Sequence, residues 1–320
     1  MKRALRGAAA AALALAASCG APPGPSATVP ESFVRWGPKR DDLKYSERAP
    51  AAKRALLRQI NADREAHGAP PVEYDLLAAK VGDEFCAESA GENFTGHWDL
   101  AGRSPYLRWA LAGGVDFEAE NVGSLSRAGR GITEGEIADL LLDVHREMMA
   151  ERPPADGHRR AILDPKWTHV GIGVAWVGGE LRMTEEFVRR VAEWVEMPAG
   201  PLPRGSAAVF RAKLPDGWTA GALEVSFEPL PSPLTRRQIA RRSAYELPKA
   251  FVVLYPALRP PLRYADGGTG DLSVRDGRIE GKIPLSKGIG SYYAVLYGAK
   301  GPVAPGRTLW PLVVARFEAR

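Results

Sequence analysis

The stretch "DGHRRAILDPKWTHVGIGVAW", residues 156–176, decides the reading of the N-terminal half. Pro153 and Pro154 just before it cannot continue a helix, and Gly157 permits backbone angles that other residues resist. The chain therefore turns here and presents His158, one of only five histidines. Ile162 and Leu163 anchor the segment in a core, and Asp164-Pro165 ends it. Residues 169–177, "HVGIGVAWV", then read as a strand, in which Gly171 and Gly173 alternate as close packing requires. The Gly178-Gly179 turn joins it to a second strand, "ELRMTEEFV", residues 180–188.

Upstream of this hairpin the pattern is helical. Residues 50–66 carry Leu56, Leu57 and Ile60 at helical spacing, and residues 75–90 place Leu76, Leu77, Val81 and Phe85 on one face. "SPYLRWALAGG", residues 104–114, starts at Ser104 with Pro105 in its first turn and stops at Gly113-Gly114. "TEGEIADLLLDVHREMMAE", residues 133–151, opens with a Thr133…Glu136 capping box and closes at the prolines. Helices followed by a hairpin imply an α+β domain in which helices cover a sheet.

The chain has 320 residues, with 45% hydrophobic and 25% charged side chains, enough for two domains of an ordinary globular protein. Charge divides it. Residues 50–200 hold 17 Lys and Arg against 25 Asp and Glu, whereas residues 201–320 hold 18 against 9. A boundary near residue 200 follows. Beyond it, "AAVFRAK", "ALEVSFE", "AFVVLYP", "DLSVRDGRIEGKIPL", "SYYAVLYG" and "LWPLVVARFE" are short runs rich in Val, Tyr and Phe, separated by turn residues. Asp276-Gly277 is a hairpin signal. About seven such strands imply a β-sandwich-like second domain, interrupted by "LTRRQIARRSAYELP", which reads as a short helix.

At the N-terminus, Lys2, Arg3 and Arg6 precede an apolar run from Ala8 to Ala17, the pattern of a secretory signal peptide. "AASC" resembles a bacterial lipobox, which implies cleavage before Cys19, lipidation of its thiol and attachment to a membrane. The Pro-, Ser- and Gly-rich residues that follow read as a flexible tether. The expected organisation is therefore a signal peptide over 1–19, a tether over 20–49, a first domain over 50–198 and a β-rich domain over 199–320. Cys86 is the one other cysteine, so no internal disulfide forms beside a lipidated Cys19, and Cys86 reads as a small buried residue.

Three ordered blocks carry a resemblance: "ENFTGHWDLAGRSPYLRWALAGG" (92–114), "AENVG" (119–123) and the 156–176 stretch. Together they resemble the CAP superfamily, of the cysteine-rich secretory, antigen 5 and pathogenesis-related type, in its bacterial SCP-like extracellular form. The resemblance covers roughly residues 50–190. It implies an α-β-α sandwich with a cleft holding two histidines and two glutamates. His97 and His158 take the histidine places and Glu120 the first glutamate place. Glu151 fits the second, with Glu147, one turn earlier, as the alternate.

Such a tetrad suits three chemistries. His97 and His158 could hold a divalent metal such as Zn2+. The carboxylates could instead fix each imidazole's tautomer, or the four groups could run general acid/base work. The expected function is a secreted or lipid-anchored cell-envelope protein whose cleft binds a ligand (a lipid, a peptide or an envelope polymer) or a divalent metal without catalysis. The alternative is a zinc-dependent hydrolase acting on peptide or cell-wall polymer, with Glu120 or Glu151 activating water. His145 reads as a solvated or partly buried helix-face residue, His169 as a packing residue at a strand entrance, and His67 as an exposed turn residue. Asn121 reads as a loop-shaping residue, and Ser124 and Ser126 lack a nucleophile context. Neither a P-loop nor a dinucleotide fingerprint is present, and no basic–aromatic interleaving points to nucleic acid.

Overall fold

The computed structural model describes residues 33–36, 45–242, 244–304 and 306–320. The expected signal peptide and Cys19 lie outside the described residues. Within the expected tether, Phe33–Trp36 (β1) is a strand rather than free chain: it pairs antiparallel with a later strand, Trp194–Pro198.

The chain forms two compact units. Of the described residues, the first holds 45–190 together with Pro231–Leu247, and the second holds Phe33–Trp36, Val191–Leu230 and Pro248–Arg320. This division differs from the expected boundary near residue 199 at two places. Residues 191–198 pair into the second unit's sheet, and residues 231–247 pack with the first unit.

In the first unit, helices α1 (Pro50–Ala66), α2 (Leu76–Gly91), α3 (Pro105–Leu111), α4 (Ile137–Ala150) and α5 (Gly157–Leu163) surround one sheet. Its strands are β2 (Glu73–Tyr74), β3 (Phe117–Ser126), β4 (His169–Val177) and β5 (Glu180–Arg189), in the order β2-β4-β5-β3. The β2–β4 pair is parallel and the others are antiparallel. Strand β4 shows why the sheet is covered on both sides. Val170, Ile172 and Val174 enter a core with Leu56 and Ile60 of α1 and Leu140, Leu141 and Val144 of α4. The residues between them, Gly171 and Gly173, meet α2. A Cβ on Gly171 would lie 2.2 Å from the Ala79 nitrogen, and one on Gly173 would lie 2.3 Å from the Gly82 carbonyl carbon. Absent side chains let the helix backbone seat directly on the strand. The result is the α-β-α sandwich, and Gly171 and Gly173 have the packing role read from the sequence.

A buried charge pair ties this layer together. Lys53 of α1 and Asp83 of α2 are both almost fully buried, with Nζ 2.7 Å from Oδ2. Asp83 Oδ2 also accepts from the Tyr45 hydroxyl, and Oδ1 accepts from the Val174 backbone N–H at 2.8 Å.

The second unit contains two antiparallel sheets. One is β1-β6-β7-β11-β10 and the other β13-β12-β8-β9. Here β6 is Trp194–Pro198, β7 Ala207–Lys213, β8 Trp218–Glu228, β9 Ala250–Leu254 and β10 Ser273–Arg275. The last three strands are β11 Arg278–Pro284, β12 Gly290–Lys300 and β13 Trp310–Ala319. All the strand-like runs of the sequence are strands, and Asp276-Gly277 forms the β10–β11 turn with φ of 50° and 72°. A Cβ on Gly281 of β11 would touch Leu223 of β8 and Leu254 of β9, so the two sheets face one another. The short helix expected in "LTRRQIARRSAYELP" is Arg236–Ile239 (α6), and it belongs to the first unit.

The glycine contact yields a stability prediction. Gly173→Val places three carbons where the Gly82 backbone now lies, so a loss of about 4 kcal/mol or more is expected. Circular dichroism with thermal unfolding checks it, and an unchanged transition would contradict the helix-on-strand account.

Candidate functional site

Strand alternation builds the site. β3 is an edge strand, and its consecutive residues Glu120 and Asn121 point to opposite faces of the sheet. Glu120 faces the α2–α3 side. Its Oε1 lies 2.9 Å from His97 Nδ1, and its Oε2 accepts from the Arg108 guanidinium of α3. Arg108 also donates to the carbonyls of His97 at 2.8 Å and of Arg103 at 3.2 Å, and its guanidinium lies 3.9 Å from the Phe85 ring centroid. Burial alone would raise the Glu120 pKa, but Arg108 and His97 outweigh it and hold this carboxyl below the ordinary value. An ionised carboxylate only accepts, so His97 carries its proton on Nδ1.

Asn121 serves the other face. Its amide donates to Glu185 Oε2 at 3.0 Å and to the His158 carbonyl at 3.3 Å. It bonds backbone as expected, at the His158 carbonyl in the first turn of α5. The second pair of the expected tetrad is Glu151 with His158. Glu151, at the C-terminal end of α4, places Oε1 2.5 Å from His158 Nδ1 and accepts from the His158 N–H at 2.9 Å through Oε2. That carboxylate thereby caps α5, a task that the Asp156 side chain does not perform. Glu147, the alternate, is exposed on α4.

The four residues form two separate His–Glu pairs. Zinc needs imidazole and carboxylate atoms converging on one point at about 2.0–2.2 Å. Among the described residues no group of three or more His, Cys, Asp or Glu side chains is so placed. The carboxylates face the imidazole Nδ1 atoms, Arg108 and backbone N–H groups instead.

Residues 57–184 match the family model described as CAP, the cysteine-rich secretory protein family. These residues are a CAP domain. Among solved structures, an extracellular protein containing an SCP domain from Bacillus anthracis is similar, at 18% identity and a TM-score of 0.35, over 48% of this chain and 44% of that one. An outer surface protein of Borrelia burgdorferi is similar at 15% identity and a TM-score of 0.35, over 46% of this chain and 99% of that one. This chain thus spans less than half of the Bacillus anthracis chain. No curated protein matches the sequence.

The CAP domain contains charged groups that sequence reasoning missed. His145, read as a solvated or partly buried face residue, is fully buried. Its Nδ1 lies 2.6 Å from Glu185 Oε1 and its Nε2 3.0 Å from Asp63 Oδ2, linking α4, β5 and α1. Burial lowers its pKa, yet Glu185 and Asp63 prevail and the net shift is upward. The available signal was position: His145 follows Val144 on the apolar stripe of α4, where an unpartnered imidazole would be costly. Glu118 and Glu186 were also missed. Both are buried beside Glu120 on the α2 side of the sheet. Burial first and the Glu120 charge second push Glu118 up to about 8, and the same causes push Glu186 well above the ordinary carboxylate range.

The other histidines have local partners. His67 is exposed and bonds the Asp63 carbonyl and Arg159. His169 sits beside Thr168 Oγ1 at 2.8 Å, and burial lowers its pKa. Cys86 is buried with Ala90 and Ala175, as expected.

A site component outside the expected domain is Tyr245. Its ring centroid lies 4.7 Å from that of His97, and its hydroxyl bonds both the N–H and the C=O of Glu120.

The buried acids set a pH dependence. Between the ordinary value of 4.5 and about 8, folded Glu118 keeps a proton that the unfolded chain has released. Its contribution to stability is therefore complete below 4.5 and is lost as pH rises through about 8. His145, also raised, acts with the same sign above its ordinary 6.5. The melting temperature of the CAP domain should fall from about pH 5 to about pH 9, and Glu118→Gln should flatten that fall. Calorimetry across this range checks it; an equal slope in the variant would contradict it.

Proposed function

We propose that this protein is an exported cell-envelope binding module. Its CAP domain holds a ligand at the His97–Glu120 and Glu151–His158 pairs without catalysing a reaction. The observation that supports this most is that each histidine has its Nδ1 locked by its own glutamate. A fixed tautomer offers Nε2 as a pre-oriented hydrogen-bonding atom. Among the described residues His158 Nε2 has no hydrogen bond, and its side chain is 36% exposed. Ligand classes that fit are a lipid headgroup, a peptide or an envelope polymer.

The hydrolase alternative is less well supported. A general base should have a pKa near the working pH. Glu120 is held below the ordinary value by Arg108 and His97, and Glu151 is committed to the His158 ring and backbone. The export and anchoring parts of the proposal rest on the N-terminal sequence, with Cys19 as the lipid attachment point.

Binding of the purified protein to isolated sacculi and to anionic phospholipid vesicles tests the module. The His97→Ala/His158→Ala variant should bind at least about tenfold more weakly, the loss expected for charge-assisted hydrogen bonds. Equal binding would overturn the reading. Turnover of a peptide and ester panel above that of the double variant would instead support the hydrolase. Zinc titration of the same two proteins decides the metal expectation: equal zinc affinity in both would exclude His97 and His158 as its ligands. Cys19→Ala should move the protein from the membrane fraction to the soluble fraction, and persistent membrane association would contradict the anchor.

A further inference from the structure

Strands β8 and β9 are antiparallel neighbours, a relation that two to five residues normally close. The connection here is residues 229–249, and residues 231–247 pack with the CAP domain. Connections of that length inside compact proteins usually have a task.

Few side chains hold this strap. Of its described residues only Ile239 is fully buried, with Leu234, Tyr245 and Leu247 half-buried, while Arg236, Arg237, Arg241 and Arg242 are exposed. Ile239 packs with Phe85 and Phe94, flanked by Trp98, Leu100 and Val122. The Leu234 N–H donates to the Leu100 carbonyl at 2.8 Å. The Arg242 guanidinium lies 4.5 Å from the Trp98 ring centroid, and Arg236 pairs with Glu92 at 3.3 Å. Three residues beyond Arg242, Tyr245 covers His97 and bonds the Glu120 backbone on the open edge of β3. These are the contacts of a bound peptide: a main-chain hydrogen bond, one aliphatic anchor, a cation on an indole, and an aromatic at a strand edge.

We propose that the groove bordered by His97, Trp98 and β3 is a peptide-binding site occupied in cis by residues 231–247. Its ligand class is a basic peptide with one helical turn, as in α6, carrying an aliphatic, a basic and an aromatic side chain at the spacing of Ile239, Arg242 and Tyr245. The strap covers the His97–Glu120 pair, so an external peptide reaches that pair only by displacing it. This goes beyond the binding-module reading and does not depend on which envelope component the module holds.

The test uses the full chain, a variant carrying Ile239→Asp and Tyr245→Ala, and a fluorescent synthetic peptide of residues 231–247. The variant, its strap released, should bind the peptide at least about tenfold more tightly than wild type, whose groove is filled at high effective concentration. Excess unlabelled peptide should slow modification of His97 by diethyl pyrocarbonate in the variant. A folded variant that binds the peptide no better than wild type overturns the proposal. Should the variant not fold, hydrogen exchange of the wild-type protein decides. Leu234 and Ile239 amides exchanging at least about a hundredfold faster than β4 and β5 amides show a strap that opens locally. Exchange at the rate of those strands shows an ordinary part of the core and overturns the proposal.

Discussion

The site depends on one buried ion pair, Arg108 with Glu120. Both residues are less than a tenth exposed, and neither charge would be tolerable there alone. Joined, they determine much else. Arg108 uses its second terminal nitrogen on the carbonyls of His97 and Arg103, which fixes the loop carrying His97. Glu120 uses its second oxygen on the His97 ring. A single guanidinium thereby sets both the backbone position and the ring orientation of the histidine. Lysine, with one point charge in place of a planar fork, would not reproduce that geometry.

The second constraint is the edge position of β3. An internal strand has neighbours on both sides, whereas an edge strand leaves one row of backbone groups and both adjoining faces accessible. Glu120 and Asn121 exploit the two faces, and the Tyr245 hydroxyl takes the open backbone row at Glu120. The carboxyls of Glu118 and Glu186 are buried beside Glu120, and burial together with the Glu120 charge pushes both above the ordinary carboxylate range. Only one carboxylate of such a group is readily ionised, and the one nearest Arg108 keeps the charge.

Much of this was legible in the sequence because the deciding signals are local. Alternating glycines in "HVGIGVAWV" mark a strand against a helix, and Asp276-Gly277 marks a hairpin. The histidine and glutamate positions lie inside short recognisable blocks, and Glu151 and Glu120 each meet the histidine expected nearby. The unread parts are long-range. Arg108 sits in an apolar helical run, and nothing in its neighbours names Glu120 as its partner. His145 is tied to Asp63 and Glu185, far from it in the chain. Tyr245 reaches the CAP domain from between two strands of the other unit, where composition alone places it in the β-rich half. Local periodicity carries no information about such returns.

The most direct measurement of this account is the imidazole nitrogen NMR spectrum of wild type and Arg108→Lys, with His158 as the internal reference. The account predicts that wild-type His97 holds its proton on Nδ1 and that Arg108→Lys loses this fixed tautomer while His158 is unaffected. A His97 spectrum that is the same in both proteins would contradict the claim that the Arg108–Glu120 pair organises the site.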